Sequence, residues 1–252
     1  MKMNRFWLVG PFTAMLAVVT GLGYVAQEEA PAEAKLVTVP LIGCPADGQT
    51  GPLDAPENGS VELPIPADAA RDLAYYSTLG YSVLAPRGWN CIGVYGSSGS
   101  SIIVTPEVIQ PMEMFGNKKL AGELVVLKHT WGFGSGSSTL AEVIRMAFPK
   151  YQEHAESIEE MYGPPAHSGP YPDDVLLAIS DSVVAFETPA EKEGMGTQLN
   201  NWIEPNQNPI RGVAMLVGPN PDLLLIQTRF EVNPQLADVI LQEAQRDPVV
   251  AQ

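Results

Sequence analysis

Several strand-like runs of this sequence are separated only by tight turns, which leave no room for a helix between them. The two clearest turns, both rich in glycine and proline or serine, separate the runs 92–95 from 101–105 and 212–217 from 223–230. Strands joined in this way pair antiparallel, whereas parallel strands need a long crossover connection. The pattern therefore argues against repeated βαβ units and predicts an α+β fold with a mainly antiparallel sheet.

Helices are predicted to be few and short, because 23 glycines and 23 prolines interrupt regular structure along the chain. Helical periodicity is present at 67–79, after a predicted N-cap at Thr139, in the acidic stretch that ends near Tyr162, and after Asn233. In the two middle helices the residues expected to face the core are Leu140, Val143, Ile144, Ala147, Ala155, Ile158 and Met161. We expect two or three packed helices in a loop-rich domain.

The first 34 residues have the layout of an export signal. Lys2 and Arg5 supply a basic start, and residues 6–27 form a largely apolar run without charge. Residues 1–34 are therefore predicted to be a signal peptide, and residues 35–252 a single α+β domain. The alternative is that the apolar run stays as an N-terminal membrane anchor, since its length just suffices to span a bilayer core. In that case the membrane is contacted only through this uncleaved segment.

Cys44 and Cys91 are the only cysteines of the chain. In an oxidising compartment two thiols of one domain usually pair, so export predicts a disulfide bond between them. The alternative is a catalytic Cys91 with a histidine base, which is one of His129, His154 and His167. It needs a reduced thiol, and no local motif supports it. The predicted localisation is periplasmic or extracellular.

The charge balance and the missing motifs exclude several functions. The chain has 29 acidic against 14 basic residues and a net charge of -15, which argues against nucleic acid as a partner. It contains no G-x-x-x-x-G-K-[ST], H-E-x-x-H, C-x-x-C or G-x-S-x-G motif. These gaps disfavour nucleotide hydrolysis, zinc peptidases, thiol redox catalysis and common serine hydrolases. No cofactor, resident metal or catalytic residue is predicted.

His129, Trp131 and Trp202 form the candidate binding surface. Strand alternation places Leu127, His129 and Trp131 on one side of a strand. The first interpretation of His129 is a buried, hydrogen-bonded histidine, and the alternative is a residue of a ligand cleft. Trp202 lies in the long polar loop 189–209, where an aromatic side chain either marks a contact surface or folds back as a plug.

An alternative site would combine His129 with the glycine-rich loop that carries Ser135 and Ser137, and with Asp173 or Asp174. If these side chains converge at hydrogen-bond distance, they supply the groups of a hydrolase. The loop itself is interpreted first as a flexible turn before a helix, and second as a phosphate cradle.

The acidic run at 153–160 allows two interpretations. Its carboxylates recur at helical spacing, and two of them on one face are able to bind a divalent ion. More commonly such a run is a solvated helix face, which is the interpretation we favour.

Residues 81–89 read YSVLAPRGW. This motif resembles the strand, Pro-x-Gly-Trp, strand entry of PsbP-like domains, which are exported α+β domains with a helix against a curved antiparallel sheet. The resemblance covers nine residues and a rough order of elements. It implies an accessory or binding role and no catalytic residues.

The sequence thus favours an exported, non-catalytic binding or accessory protein, whose partner is an unknown protein or small molecule. The alternative is a hydrolase with an unrecognised site near His129 and the Ser135/Ser137 loop.

Overall fold

The computed structural model describes residues 35–116, 118–165 and 169–246. The predicted signal peptide lies outside the described residues, as does His167. In the part of the chain that is described, no helix has the length and hydrophobicity needed to cross a lipid bilayer.

Strands outnumber helices in the described residues. The strands are β1 Val37–Gly43, β2 Ala46–Gly48, β3 Gly59–Leu63, β4 Leu73–Thr78, β5 Tyr81–Pro86, β6 Asn90–Gly96, β7 Gly99–Thr105, β8 Leu124–Thr130, β9 Val175–Ser180, β10 Val183–Thr188, β11 Ile210–Val217 and β12 Asp222–Arg229. The helices are α1 Pro111–Phe115, α2 Ser137–Ala147, α3 Gln152–Tyr162, α4 Met195–Gln198 and α5 Leu236–Arg246.

The strands form two sheets. The smaller has the order β3-β1-β4-β5, and the larger has the order β2-β6-β7-β8-β12-β11-β10-β9. Neighbouring strands are antiparallel except for the pairs β1–β4 and β2–β6. The fold is therefore α+β with mainly antiparallel sheets and several packed helices, as the direct turns between strands predict.

The central strands of the larger sheet are covered on both faces, whereas the edge strand β9 is exposed at every residue. On one face, Val125, Leu127 and Ile226 pack in a cluster with buried residues of β4, β5 and α5. On the other face, one cluster joins β10, β11 and β12 to α2 and α3. A third cluster joins β6, β7 and β8 to α1 and to Ile203. Because the central strands are covered on both sides, polar side chains on either face of β8 become buried.

The helix predicted at 67–79 is wrong. Only a short 3-10 turn, Ala69–Arg71, is helical there, and it leads directly into β4. The β4 residues pair along their whole length with β5, and the Tyr76 hydroxyl donates a hydrogen bond of 2.7 Å to the Pro86 carbonyl. Paired tyrosines with Ser77 and Thr78 suit a strand better than a helix, and sheet pairing decides the conformation.

The two middle helices follow their predicted stripes except at one residue. In α2 all four predicted residues, Leu140, Val143, Ile144 and Ala147, are buried. The helix begins at Ser137, so the predicted N-cap at Thr139 is wrong. In α3, Ala155 and Ile158 are buried, but Met161 is 74% exposed because it lies in the last turn, outside the cluster.

Cys44 and Cys91 form the predicted disulfide bond, with their Cα atoms 5.4 Å apart. Cys44 directly follows β1 of the smaller sheet, and Cys91 lies in β6 of the larger sheet. The bond therefore links the two sheets covalently.

Candidate functional site

A cavity of about 260 Å³ lies between the β6–β7 hairpin, β8 and the segment around Trp202. Its walls combine polar and aromatic side chains, among them Ser101, Phe115, Lys128, Asn200, Asn201 and Trp202. Among the described residues that line it, none is Asp or Glu. The structure thus places a polar opening with one lysine in an otherwise strongly acidic chain.

Lys128 is the charged side chain of this wall. It lies in β8, where it pairs with Ser101 of β7 and Leu225 of β12. Its Nζ atom donates a hydrogen bond of 2.8 Å to the Leu199 carbonyl. The residue keeps some exposure, yet desolvation of its ammonium lowers the pKa of Lys128, and attraction to Glu142 only partly opposes this.

Glu142 of α2 is the carboxylate that attracts Lys128. It is only 7% exposed, and burial raises its pKa from the ordinary 4.5 to about 7. The charge of Lys128 and a hydrogen bond from the Tyr171 hydroxyl oppose that increase without cancelling it. The Oε1 atom of Glu142 has no hydrogen-bond partner in the described structure. Near neutral pH only part of the Glu142 population is ionised, so Glu142 neutralises the charge of Lys128 only in part.

The wall that carries Trp202 is held by buried amides. Asn200 Nδ2 donates to Gln227 Oε1 at 3.4 Å, and Gln227 Nε2 donates to the Gly196 carbonyl at 2.7 Å. The backbone N–H of Trp202 donates to Asn200 Oδ1 at 3.3 Å. Gln227 and Asn200 are both fully enclosed, at 0% and 2% exposure. This segment is anchored to the large sheet, although the sequence predicts a polar loop.

Arg229, at the end of β12, holds the backbone next to the segment that carries Trp202. It is 1% exposed, and its guanidinium donates to the carbonyls of Leu120 at 2.7 Å, Gly122 at 2.8 Å and Glu204 at 2.5 Å. The Leu120 N–H in turn donates to the Trp202 carbonyl at 2.6 Å. Desolvation lowers the pKa of Arg229. Arg229 thus positions the backbone on either side of Trp202.

His129 borders the cavity, but its ring atoms are engaged elsewhere. It is 2% exposed, with Nδ1 2.7 Å from the Tyr81 hydroxyl and Nε2 3.0 Å from Asp222 Oδ2. The Gly132 N–H donates to the other oxygen of Asp222 at 2.7 Å. One tautomer satisfies all groups: Nε2–H donates to Asp222, and Nδ1 accepts from Tyr81. Burial and the nearby Asp222 raise the pKa of Tyr81.

Of the remaining sequence candidates, Trp131 lies edge-on to His129, with ring centres 6.4 Å apart. Trp131 stacks on Phe133, with ring centres 6.1 Å apart, and does not line the cavity. Ser135 Oγ donates to Ser97 Oγ at 3.0 Å, and Ser137 Oγ donates to the Gly134 carbonyl at 2.6 Å. Of the three predicted surface residues, the structure brings His129 and Trp202 to one cavity and leaves Trp131 outside.

The acidic side chains considered as ligands have other partners. Arg145 of α2 pairs with Glu159 at 2.6 Å and with Glu156 at 3.5 Å. Asp173 pairs with Lys192 at 3.3 Å, and Asp174 accepts the Met195 N–H at 2.7 Å. In the described ranges, no three His, Cys, Asp or Glu side chains are grouped so that they could hold a metal ion.

Sequence reasoning missed Lys128, Asn200 and Arg229. Lys128 directly follows the four apolar residues 124–127 of β8, which is the one available signal. If one face of the sheet were exposed to solvent, a lysine at this position would be interpreted as a surface residue. Only the docking of α2 and the 199–204 segment on the second face makes it part of a site.

No protein-family profile, curated protein or solved structure matches this chain. The PsbP-like resemblance of residues 81–89 therefore stays a prediction. In the structure this motif forms β5, a turn with Gly88 at a φ of 86°, and the entry to β6.

Proposed function

We propose that this chain is an exported, non-catalytic protein that binds a small polar ligand in the cavity beside Trp202. The observation that carries the proposal is the cavity itself, whose lining brings together a lysine, two asparagines and the aromatic residues Tyr95, Phe115 and Trp202. Small-molecule sites are typically preformed openings with a few convergent polar groups. At about 260 Å³ the cavity is smaller than typical drug-sized sites of roughly 300–1,000 Å³, which favours a ligand of metabolite size.

Export is supported by two independent features. Disulfide bonds persist mainly in oxidising compartments, and Cys44 and Cys91 are bonded. The basic start and the apolar run of residues 1–34 match a signal peptide. We place the protein in the periplasm or outside the cell. An accessory role is also what the PsbP-like resemblance implies.

Intact-mass measurement tests the export part. When the full chain is expressed in a bacterium, the periplasmic or culture fraction should contain a species that lacks the leader. Its mass should be lower than that of the dithiol form by two hydrogen atoms. A full-length cytosolic product with two free thiols would contradict export.

Thermal unfolding against a panel of metabolite-sized acids, amines, sugars and nucleosides tests the binding part. At least one chemical class should raise the Tm, because a ligand that binds only the folded state stabilises it. Trp202→Ala should remove this shift, whereas Tyr162→Ala, which alters an exposed aromatic residue outside the cavity wall, should keep it. A panel without any shift, or equal shifts in both variants, would overturn ligand binding at this cavity.

The hydrolase alternative has less support. One nitrogen of His129 bonds to Tyr81 and the other to Asp222. The hydroxyls of Ser135 and Ser137 bond to other groups and not to His129. Turnover of ester, glycoside or phosphoester substrates, lost in His129→Gln, would favour it over the binding role.

A further inference from the structure

We propose that the ligand of this cavity is a small organic anion whose carboxylate or phosphate group binds beside Lys128. The inference rests on the proposed function of the same cavity and specifies its ligand class. It begins from a contrast in charge. The chain as a whole carries -15, yet the described cavity wall contains Lys128 and no acidic residue.

The ammonium of Lys128 has unused capacity. It has three N–H donors, and the hydrogen bond to Leu199 uses one of them. A desolvated charge is costly unless an opposite charge and hydrogen bonds compensate it. Glu142 attracts Lys128 but does not line the cavity, and it is only partly ionised near neutral pH. An anion in the cavity would supply the missing counter-charge.

A second cation lies close to the same wall. Lys119 Nζ donates to the carbonyl of Asn201, which lines the cavity. Asn201 is exposed, and its side-chain amide adds a polar group at the opening that is able to donate to anionic oxygens. The lining and its surroundings are therefore more basic than the net charge of the chain would suggest.

The aromatic residues indicate that the anion is organic. Phe115 and Trp202 line the cavity, and Phe115 is 48% exposed, so part of its ring is available for contact. A bare inorganic ion would leave these apolar surfaces in water, whereas a ligand with an apolar portion covers them. The geometry thus favours a ligand with an acidic head and an apolar body.

Matched probes that differ in charge but hardly in shape test the inference. Benzoate, phenyl phosphate and neutral benzamide would be titrated against the purified full chain by calorimetry. The anions should bind at least about tenfold more tightly than benzamide, because hydrogen bonds to a charged partner are the stronger ones. The comparison of benzoate with phenyl phosphate separates the two kinds of acidic head.

Lys128→Met keeps the length of the side chain and removes its charge, so it should abolish the preference for anions. Lys150→Met is the matched control, since Lys150 is an exposed lysine paired with Asp181 and lies outside the cavity wall. It should bind as the wild type does. The double variant Lys128→Met/Glu142→Gln removes both charges of the pair and covers the case in which the single variant fails to fold.

The outcomes separate the two proposals. Equal affinity of wild type for benzoate, phenyl phosphate and benzamide, or a preference for benzamide, would overturn the anion inference. Binding lost in Trp202→Ala would still support the cavity as a ligand site. An anion preference that survives in a folded Lys128 variant would overturn the role of Lys128. Absence of binding by all three probes would overturn the anion inference, and the metabolite panel would then decide the proposed function on its own.

Discussion

Three nitrogen-bearing side chains of the central strands are held in the interior, and each has different hydrogen-bond partners. Arg229 donates to three backbone carbonyls, and His129 bonds to Tyr81 and Asp222. Lys128 donates a hydrogen bond to one carbonyl, and it is attracted by Glu142, which is only partly ionised near neutral pH. A buried charge without full compensation is unfavourable, so structural ion pairs usually avoid this arrangement. Lys128, which has the least compensation, also lines the cavity, which fits a functional role.

Replacing Glu142 by Gln should change the pH dependence of stability. The folded-state pKa of about 7 exceeds the ordinary 4.5, so the contribution of Glu142 is fully present below about 4.5 and is lost as the pH rises through about 7. A glutamine does not ionise. The variant should therefore gain stability relative to wild type between pH 5 and pH 8, by at most roughly 3 kcal/mol. Urea unfolding at the two pH values measures this difference.

Glu159→Gln serves as the control for that experiment. Its hydrogen bond with Arg145 lowers the pKa of Glu159, so the carboxylate stays ionised from pH 5 to pH 8. The stability difference between this variant and wild type should be constant over the range. A Glu142→Gln difference that is equally constant would show that Glu142 ionises normally in the folded protein.

At the scale of elements, prediction succeeded where local pattern and tertiary packing agree. The runs around β7 and β12 are bounded by turns and strongly β-prone, and the stripe of α2 has one buried side. Prediction failed at 67–79, because alanine-rich spacing suits a helix while pairing with β5 selects a strand. The two-sheet arrangement was not foreseen, since β1 and β3 lie in a stretch of sequence with many prolines and glycines.

The disulfide bond should contribute strongly to the stability of this arrangement. Cys44 and Cys91 are separated by 47 positions, and closing a loop of that size in the unfolded chain corresponds to about 4 kcal/mol in the chain-entropy description. The Cys44→Ala/Cys91→Ala variant should lose several kcal/mol of unfolding free energy in guanidinium titrations. Reduced wild type should be destabilised to a similar extent. Equal stability of oxidised and reduced protein would contradict this expectation.

At the scale of the whole molecule, the two sheets meet over a largely apolar core that also contains a polar contact. Tyr81 begins β5 of the smaller sheet, while His129 and Asp222 belong to β8 and β12 of the larger one. Sequence alternation predicted that His129 faces inward, and it does. Its partners lie 48 and 93 positions away, and no local pattern encodes contacts of that range. For the same reason the cavity, which needs three distant segments, was only partly predicted through His129 and Trp202.

Tyr81→Phe should loosen the contact between the sheets. The change removes one hydroxyl and leaves Nδ1 of a histidine that is 2% exposed without its partner, which costs about 1–3 kcal/mol. Chemical unfolding measures the loss. Tyr162→Phe is the matched control, because Tyr162 is 52% exposed, and a surface change of this kind should stay within about 0.5 kcal/mol.

A double-mutant cycle separates this network from a simple sum of contacts. Tyr81 and Asp222 bond to opposite nitrogens of the His129 ring. Removing either partner therefore changes how much the other hydrogen bond contributes to the free energy of unfolding. Tyr81→Phe combined with Asp222→Asn should therefore depart from additivity by about 0.5–3 kcal/mol. Strict additivity would mean that the Tyr81 and Asp222 hydrogen bonds stabilise the protein independently of each other. In that case the histidine ring between them would not couple the two contacts.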